Sequence, residues 1–141
     1  MLFQKSLNNT DIVLAETLKN FVPDEVFDIH VHPYRAAHFP KGEWAFLDGI
    51  EQLGCEEHRN ALQRYMTARK IHGLYFGMPR KTADRDTMNA WVAKEVRQKA
   101  TELSRSLMVV SPGDDPAQIA EQLRSGLFCG FKVYHCYASR T

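Results

Sequence analysis

Four short apolar segments alternate along the chain with segments of helical periodicity, and this alternation is the feature that most limits its fold. The apolar segments span residues 25–32, 71–79, 107–111 and 129–137, and the first three stop at proline or at a proline-containing turn, as buried strands do. Apolar residues recur at helical spacing over residues 10–20, 55–69, 84–103 and 115–126. This order predicts an α/β fold with four parallel strands alternating with helices and joined by right-handed crossovers.

The predicted helices carry recognisable starts and apolar faces. Candidate N-caps are Thr10 or Asp11 for the first helix, Asp84 or Asp86 for the third, and Asp114 or Asp115, before Pro116, for the fourth. We expect the second helix to bury Ala61, Leu62, Tyr65 and Met66. For the third helix the predicted apolar stripe is Met88, Trp91, Val92, Val96 and Leu103.

The composition is that of one globular domain, which we take to span residues 1–141. Hydrophobic residues make up 44% of the chain and charged residues 25%, and the formal net charge is +1. No block of one charge offers a surface for nucleic acid or for an anionic membrane. The opening residues lack a secretory apolar region, and no apolar run is long enough to span a membrane. The three cysteines have no CxxC spacing, so we expect a cytoplasmic protein with reduced thiols.

The stretch FDIHVHP at residues 27–33 places two histidines, His30 and His32, at the end of the first predicted strand. Alternate strand residues point to one face, so the two imidazoles project together from backbone positions about 6.5 Å apart. Both can reach one ion at about 2.1 Å from a ring nitrogen. The carboxyl end of a parallel strand is also where α/β proteins place ligand and catalytic groups. The pair is therefore a candidate metal site.

The same residues also have a structural interpretation. With six histidines in the chain, an HxH spacing arises by chance in roughly one such sequence in five. A core histidine and a loop histidine, each bonded to backbone, would explain the pair without a metal. Asp28 lies on the same predicted face as His30, either as an acceptor that orients an imidazole or as a carboxylate paired with a cation. We interpret His58 and His72 as helix-surface and strand-start residues without chemistry.

Taken together, several segments resemble one family. The run VFDIHVHP, the strand–helix order that begins with it, the segment DRDTMNAWVAKEVR and the later GFKVYH are similar to the amino-terminal part of amidohydrolase-related proteins. These are metal-dependent (β/α)8 barrels of the amidohydrolase superfamily. The resemblance covers nearly the whole chain, and HxH is its one motif of sharp specificity. It implies the first half of a TIM-type barrel, with His30 and His32 as the metal ligands of the first strand. It also implies a divalent metal, zinc first and manganese or another ion as alternatives, and a small-molecule substrate.

Lys132 in the fourth predicted strand matches that family more loosely. Some members of the superfamily carry there a carboxylated lysine that bridges two metals, which makes Lys132 a candidate ligand or catalytic residue. His135 is a further candidate ligand, but on a regular strand it points away from Lys132, so only one of them can face the barrel centre. The structural alternatives are a lysine paired with an inner carboxylate such as Asp28 and a strand-end histidine without function.

Two arginines are candidates for binding a substrate carboxylate. Arg35 follows the first predicted strand and Arg80 the second, so both belong to the face where the candidate metal site lies. Solvated surface arginine is the structural alternative. His38 and Trp44, in the long loop of residues 33–51, are candidates for a lid over the site or for packing against its rim.

The length sets a further expectation. A complete (β/α)8 barrel takes about 250 residues, and the family's remaining ligands come from its fifth and sixth strands, with a catalytic aspartate from the eighth. Two histidines are also fewer than the three protein ligands that zinc normally has. We therefore expect either a fragment of a longer protein or two half-barrels that associate, as in a homo-oligomer.

Three functions remain open on the sequence. The preferred hypothesis is that the parent protein is a metal-dependent hydrolase, or a decarboxylase on the same scaffold, which uses a metal-activated water on a small substrate such as a carboxylate. The first alternative is a non-catalytic truncated half-barrel that assembles with another chain, because four strands leave two open edges and an uncovered apolar interior. The second is a small-anion-binding α/β domain, although YRAAHF stands where a glycine-rich phosphate loop would follow the first strand.

Overall fold

A computed structural model describes residues 6–43 and 49–138 of the chain. Its strands are β1 (Glu25–Val31), β2 (Tyr34–Arg35), β3 (Gln52–Leu53), β4 (Lys70–Tyr75), β5 (Arg105–Val110) and β6 (Gly130–Val133). Its helices are α1 (Asn9–Phe21), α2 (Cys55–Gln63), α3 (Arg85–Lys99) and α4 (Pro116–Arg124). Four strands form a parallel sheet in the order β1-β4-β5-β6, and β2 pairs antiparallel with β3. The predicted α/β fold, with four parallel strands alternating with helices, is confirmed.

Local sequence explains where the helices begin. Asn8 caps α1 in a reciprocal arrangement, because its side chain accepts from the backbone N–H of Asp11 while the Asp11 carboxylate accepts from the backbone N–H of Asn8. The cap therefore lies earlier than predicted. Asp84 and Asp115 cap α3 and α4 as predicted. None of the helices in the described ranges is long and apolar enough to cross a membrane.

Three predicted elements are longer than the observed ones. Helix α2 ends at Gln63, and Ala68 beyond it has a left-handed φ of 63°, which no helix can accommodate. Strand β4 ends at Tyr75 rather than at the proline that follows. Strand β6 ends at Val133 and gives way to a single 3-10 turn, so the predicted strand over residues 129–137 is wrong in its second half.

The core lies between the sheet and the two central helices. It contains Val31, Cys55, Tyr75, Met88, Trp91 and Val92. The buried residues of α2 are Cys55 and His58, whereas the four residues predicted for its buried face are only partly covered. The predicted stripe of α3 is confirmed at Met88, Trp91 and Val92, but Leu103 lies beyond the helix and is 47% exposed.

The two outer strands of the sheet are not buried on both faces, contrary to expectation. In β1, Phe27 and Ile29 are exposed, and in β6, Phe131 and Val133 are exposed. Side chains of this kind are covered in a closed parallel sheet with helices on its surface. The first predicted strand was therefore wrongly expected to be fully buried.

Strand β5 pairs with β4 over a short stretch and is bonded beyond it to a side chain of α3. Their register pairs in the described residues are Leu74 with Arg105 and Tyr75 with Ser106. Further along β5, the side-chain amide of Asn89 in α3 donates to the Val109 carbonyl oxygen and accepts from the Val109 N–H, each at 2.9 Å. Val109 has Lys132 of β6 as its register partner on one side, and Asn89 satisfies its backbone groups in place of a β4 partner. We call this contact the Asn89 bridge.

Candidate metal site

A bulge in β1 determines where the two histidines of FDIHVHP point. Asp28 and Val31 are three positions apart in β1, while their register partners in β4 are two apart. The extra residue changes the alternation of side chains. Asp28 reaches His58 of α2, and Val31 packs in the core beneath the same helices. His30 and His32 are left on the opposite face of the sheet, which we call the open face.

The ring nitrogens of the two histidines converge. Nε2 of His30 lies 3.1 Å from Nε2 of His32, with ring planes at 76°. Two nitrogens that are each about 2.1 Å from one ion lie about 3.0–3.4 Å apart when the angle at the ion is between about 90° and 109°. The distance suits two ligands of one ion. It also suits a hydrogen bond in which one Nε2–H donates to the other ring.

Backbone carbonyls fix the orientation of His32. Its Nδ1 lies 3.3 Å from the carbonyl oxygen of Phe76 and 3.2 Å from that of Gly77. Carbonyl oxygens only accept, so Nδ1 carries the hydrogen and Nε2 is left with a free lone pair. Burial lowers the pKa of His32, with smaller effects in the same direction from His30 and Lys132 and an opposing effect from the two carbonyls. A neutral imidazole held in this way is the form that binds metal.

Aromatic rings line the site. The Phe76 ring is buried, and its centre lies 4.9 Å from that of His30 and 4.8 Å from that of His32. The Tyr134 ring lies 6.2 Å from that of His32, and its hydroxyl oxygen is buried without a hydrogen-bond partner among the described residues. Burial raises the pKa of Tyr134 to about 12, so the hydroxyl keeps its proton at neutral pH. The sequence analysis gives neither ring a role, because each lies within a predicted strand, whereas the observed strands β4 and β6 end one residue before Phe76 and Tyr134.

Lys132 joins the histidines on the open face. Its Nζ lies 5.2 Å from the centre of the Phe76 ring and 5.7 Å from that of Tyr134, within cation–π range. The carboxylate of Asp28, its expected alternative partner, is bonded to His58 instead. Lys132 is therefore positioned beside the histidine pair.

His135 lies apart from the pair. It is exposed, belongs to the 3-10 turn after β6 and lines a shallow cleft with Val110, Val133 and Tyr134. No contact between His135 and the histidine pair is found in the described part of the chain. Of the two candidates on the fourth strand, Lys132 is the one that the fold brings to the site.

Arg35 is exposed, and its side chain contacts neighbouring residues. The Arg35 guanidinium lies 5.1 Å from the centre of the Trp91 ring, and its Nε donates to the side chain of Gln52 at 3.0 Å. His38 is buried against Trp91, and its Nδ1 accepts from the backbone N–H of Arg35. His38 therefore packs in the protein, in agreement with the packing role that was the alternative to a lid. Trp44, the other lid candidate, lies outside the described residues.

Arg80 follows β4 at the same end of the sheet. Its Nε lies 3.3 Å from a carboxylate oxygen of Glu43. The hydroxyl of Tyr137 accepts from the backbone N–H of Arg80 and donates to its carbonyl oxygen, each at 3.1 Å. Both arginine candidates therefore have intramolecular contacts within the described residues.

Two other histidines are buried, which corrects the expected helix-surface position of His58, whereas His72 lies near the start of β4 as predicted. His58 is bonded through Nε2 to the Asp28 carboxylate at 3.1 Å and through Nδ1 to the Tyr75 hydroxyl at 2.9 Å. The Nδ1 of His72 lies 2.7 Å from the Thr101 hydroxyl. A sequence signal existed for His58, since it lies three residues after Cys55 and therefore shares its helix face.

Within the described ranges, no three or more His, Cys, Asp or Glu side chains come together in a way that could hold a metal ion. The site assembled here consists of two imidazoles, a lysine and two aromatic rings. Neither the protein-family models, nor the curated proteins, nor the solved structures compared with this chain give a match. The likeness to amidohydrolases therefore rests on the residues themselves.

Proposed function

We propose that this chain is the first half of a (β/α)8 barrel of the amidohydrolase type and that its parent protein is a metal-dependent hydrolase, or a decarboxylase on the same scaffold. The observation that carries this proposal is the convergence of the His30 and His32 Nε2 atoms, 3.1 Å apart, at the carboxyl end of β1. Parallel-strand enzymes place their reactive groups at this end of the sheet.

The residues present fit a divalent ion, with zinc as the first choice. His32 offers a neutral nitrogen whose ring is fixed by two carbonyls, and His30 is exposed and free to turn its Nε2 to the same point. Two imidazoles leave at least one ligand position to Lys132 or to groups outside the described residues. When bound, such an ion supplies a Lewis acid for a water molecule or a substrate carbonyl.

Lys132 has two candidate roles, and they differ in its charge. As a neutral or carboxylated side chain it binds the ion directly, and as an ammonium it holds a substrate carboxylate against the aromatic wall of Phe76 and Tyr134. The charge-preserving variant Lys132→Arg separates the two. If Lys132 binds the ion, Lys132→Arg should lose the metal. If Lys132 binds the substrate carboxylate, Lys132→Arg should keep substrate binding. Lys132→Gln should lose the function of Lys132 in either case.

The first experiment is elemental mass spectrometry on the purified chain and on a His30→Ala, His32→Ala double variant. The matched control is His135→Ala, which removes an exposed histidine outside the site. We expect metal near one ion per chain in the wild type and in the control, and its loss in the double variant. Circular dichroism shows whether the double variant still folds. Absence of metal from the wild type after incubation with zinc, or equal metal in the double variant, contradicts the proposal.

A second candidate function is a non-catalytic half-barrel that assembles with another chain. Exposed apolar side chains on both outermost strands favour it, namely Phe27, Ile29, Phe131 and Val133. Sedimentation velocity tests this candidate, because it predicts a dimer or larger assembly that Ile29→Lys disrupts. A monomer with a cooperative unfolding transition contradicts it.

A further inference from the structure

Behind the candidate metal site, the Asp28 carboxylate connects β1 to α2. Its Oδ1 accepts a hydrogen bond from the backbone N–H of His30 at 3.0 Å, and its Oδ2 lies 3.1 Å from Nε2 of His58. The other ring nitrogen of His58 lies 2.9 Å from the hydroxyl of Tyr75 in β4. One chain of polar contacts therefore runs from the metal-site backbone to two neighbouring elements.

These contacts lie where the strand ladder is interrupted. The bulge of β1 falls between Asp28 and Val31, so the intervening residues have no register partner in β4. A bulged residue loses its ladder hydrogen bond, and a backbone N–H left without a partner costs about 1–3 kcal/mol. Asp28 supplies the acceptor that the ladder does not give to His30.

His58 determines where the Asp28 carboxylate points. The His58 side chain is 9% exposed and that of Asp28 is 35% exposed, so their contact is partly shielded from water. The Asp28 carboxylate only accepts, so Nε2 of the neutral ring carries the hydrogen and Nδ1 accepts from the Tyr75 hydroxyl, whose pKa is raised by burial. Nε2–H of His58 then donates to Asp28, and the imidazole is fixed in one tautomer. Alternation in a regular strand would instead turn Asp28 to the face of His30.

We infer that His58 is a positioning residue for the metal site, acting through Asp28 and the β1 bulge to hold His30 against His32. This inference rests on the proposed function for its consequence, namely metal affinity. The inference also states that His58, through Asp28, fixes the position of the His30 backbone, and this statement does not depend on a metal.

The test compares four variants by Co²⁺ titration, following the visible absorption of the bound ion, and by thermal unfolding of the metal-free protein. His58→Phe keeps a ring but removes both ring nitrogens. His58→Gln restores an amide donor toward Asp28, and Tyr75→Phe removes one oxygen atom. The matched control is His72→Phe, which replaces another buried histidine; its ring contacts Thr101 and stacks on Phe27, in the regular part of β1 before the bulge.

We expect His58→Phe to weaken Co²⁺ binding about 10- to 100-fold, as loss of an outer hydrogen-bond partner of a metal ligand does. It should also change the Co²⁺ absorption band at saturation, which a purely structural role would leave unchanged. His58→Gln should recover most of the affinity. The control should lower the unfolding temperature without changing affinity. Equal affinities in wild type and His58→Phe overturn the inference.

Amide hydrogen exchange of His30, followed by NMR without metal, separates this inference from the proposed function. We expect slow exchange in the wild type and at least tenfold faster exchange in His58→Phe, with no change at His30 in the control. If the wild type binds no Co²⁺, the proposed function fails while the exchange result still decides the positioning role. Unchanged His30 exchange overturns the positioning role even where Co²⁺ binds. Should His58→Phe fail to fold, Tyr75→Phe carries the same test with a smaller expected change.

Discussion

Helices α3 and α4 begin in the same way but pack differently. Each has an aspartate N-cap whose side chain accepts from a backbone N–H of the first turn. Helix α3 then buries Met88, Asn89, Trp91, Val92, Ala93 and Glu95, whereas α4 buries none of its residues. Capping residues therefore predict where a helix begins. How firmly the helix packs against the domain depends on the strands beneath it.

The same contrast divides the candidate site. His30, His32 and Phe76 come from strands covered by the tightly packed helices α2 and α3. Lys132 and Tyr134 come from the end of β6, the strand that follows helix α4, which buries none of its residues. The Asn89 bridge joins β5 to the tightly packed part. A movement of β6 and α4 would therefore displace Lys132 and Tyr134 more than it displaces His30 and His32.

The largest expected difference is between core substitutions on the two helices. Met88 is fully buried, so Met88→Ala should lower the free energy of unfolding by about 2–5 kcal/mol. Leu123 of α4 is only half-buried, and Leu123→Ala should cost about 1 kcal/mol or less. Urea denaturation measures both. Equal losses would show that α4 packs as firmly as α3.

Next in size is the effect of breaking the Asn89 bridge. Asn89→Ala leaves the Val109 N–H and carbonyl oxygen without partners, at about 1–3 kcal/mol for each buried group. Asn89→Asp should lose at least as much, because its carboxylate accepts from the N–H but faces the Val109 carbonyl oxygen as a buried, unpaired charge. Gln98→Ala, on the exposed side of the same helix, is the control and should stay within about 0.5 kcal/mol. If Asn89→Ala loses no more free energy of unfolding than this control, the Asn89 bridge is not a stabilising link between α3 and β5.

Acid should weaken the tightly packed part of the molecule. Burial lowers the pKa of both His38 and His58, so the unfolded chain binds more protons than the folded one at pH values below about 6.5. Stability therefore falls as the pH drops through this window, by at most about 1.4 kcal/mol per pH unit for each histidine. It levels off below the folded-state pKa values. His38→Gln should make the fall in the free energy of unfolding with decreasing pH less steep. If the pH dependence is unchanged in this variant, His38 does not contribute to it.

The smallest expected effect concerns the two caps. Asp84→Ala and Asp115→Ala each remove a first-turn hydrogen bond worth about 1 kcal/mol. In α3 the loss should appear in the global free energy of unfolding. In α4 it should appear as faster amide exchange of the helix alone, because a helix without buried residues can open locally. The reverse pattern would mean that α4 unfolds only together with the rest of the domain.

Much of the architecture follows from the sequence because strand–helix alternation and capping residues act locally. The caps Asp84 and Asp115 and the buried stripe of α3 are examples. The predicted second and fourth strands are too long, because a β-rich run such as residues 129–137 does not reveal where pairing stops. In β6 the partner strand β5 ends at Val110, and pairing ends at Val133 opposite it.

The candidate site was predictable in its residues but not in its construction. The HxH spacing correctly suggested that His30 and His32 share a face, yet it placed Asp28 on that face as well. The bulge reverses this expectation, and a bulge depends on the register with β4, which no local pattern encodes. The burial of His58 was missed for a related reason. A polar residue on a helix suggests a surface position until its partners, Asp28 and Tyr75, are brought to it by the sheet.

The most direct test of the central claim is anomalous diffraction at the zinc edge from a crystal of this protein soaked in zinc. The account predicts a peak about 2.1 Å from the Nε2 atoms of both His30 and His32. An anomalous map without a peak between the two rings, with the imidazoles bonded directly to each other, would contradict it.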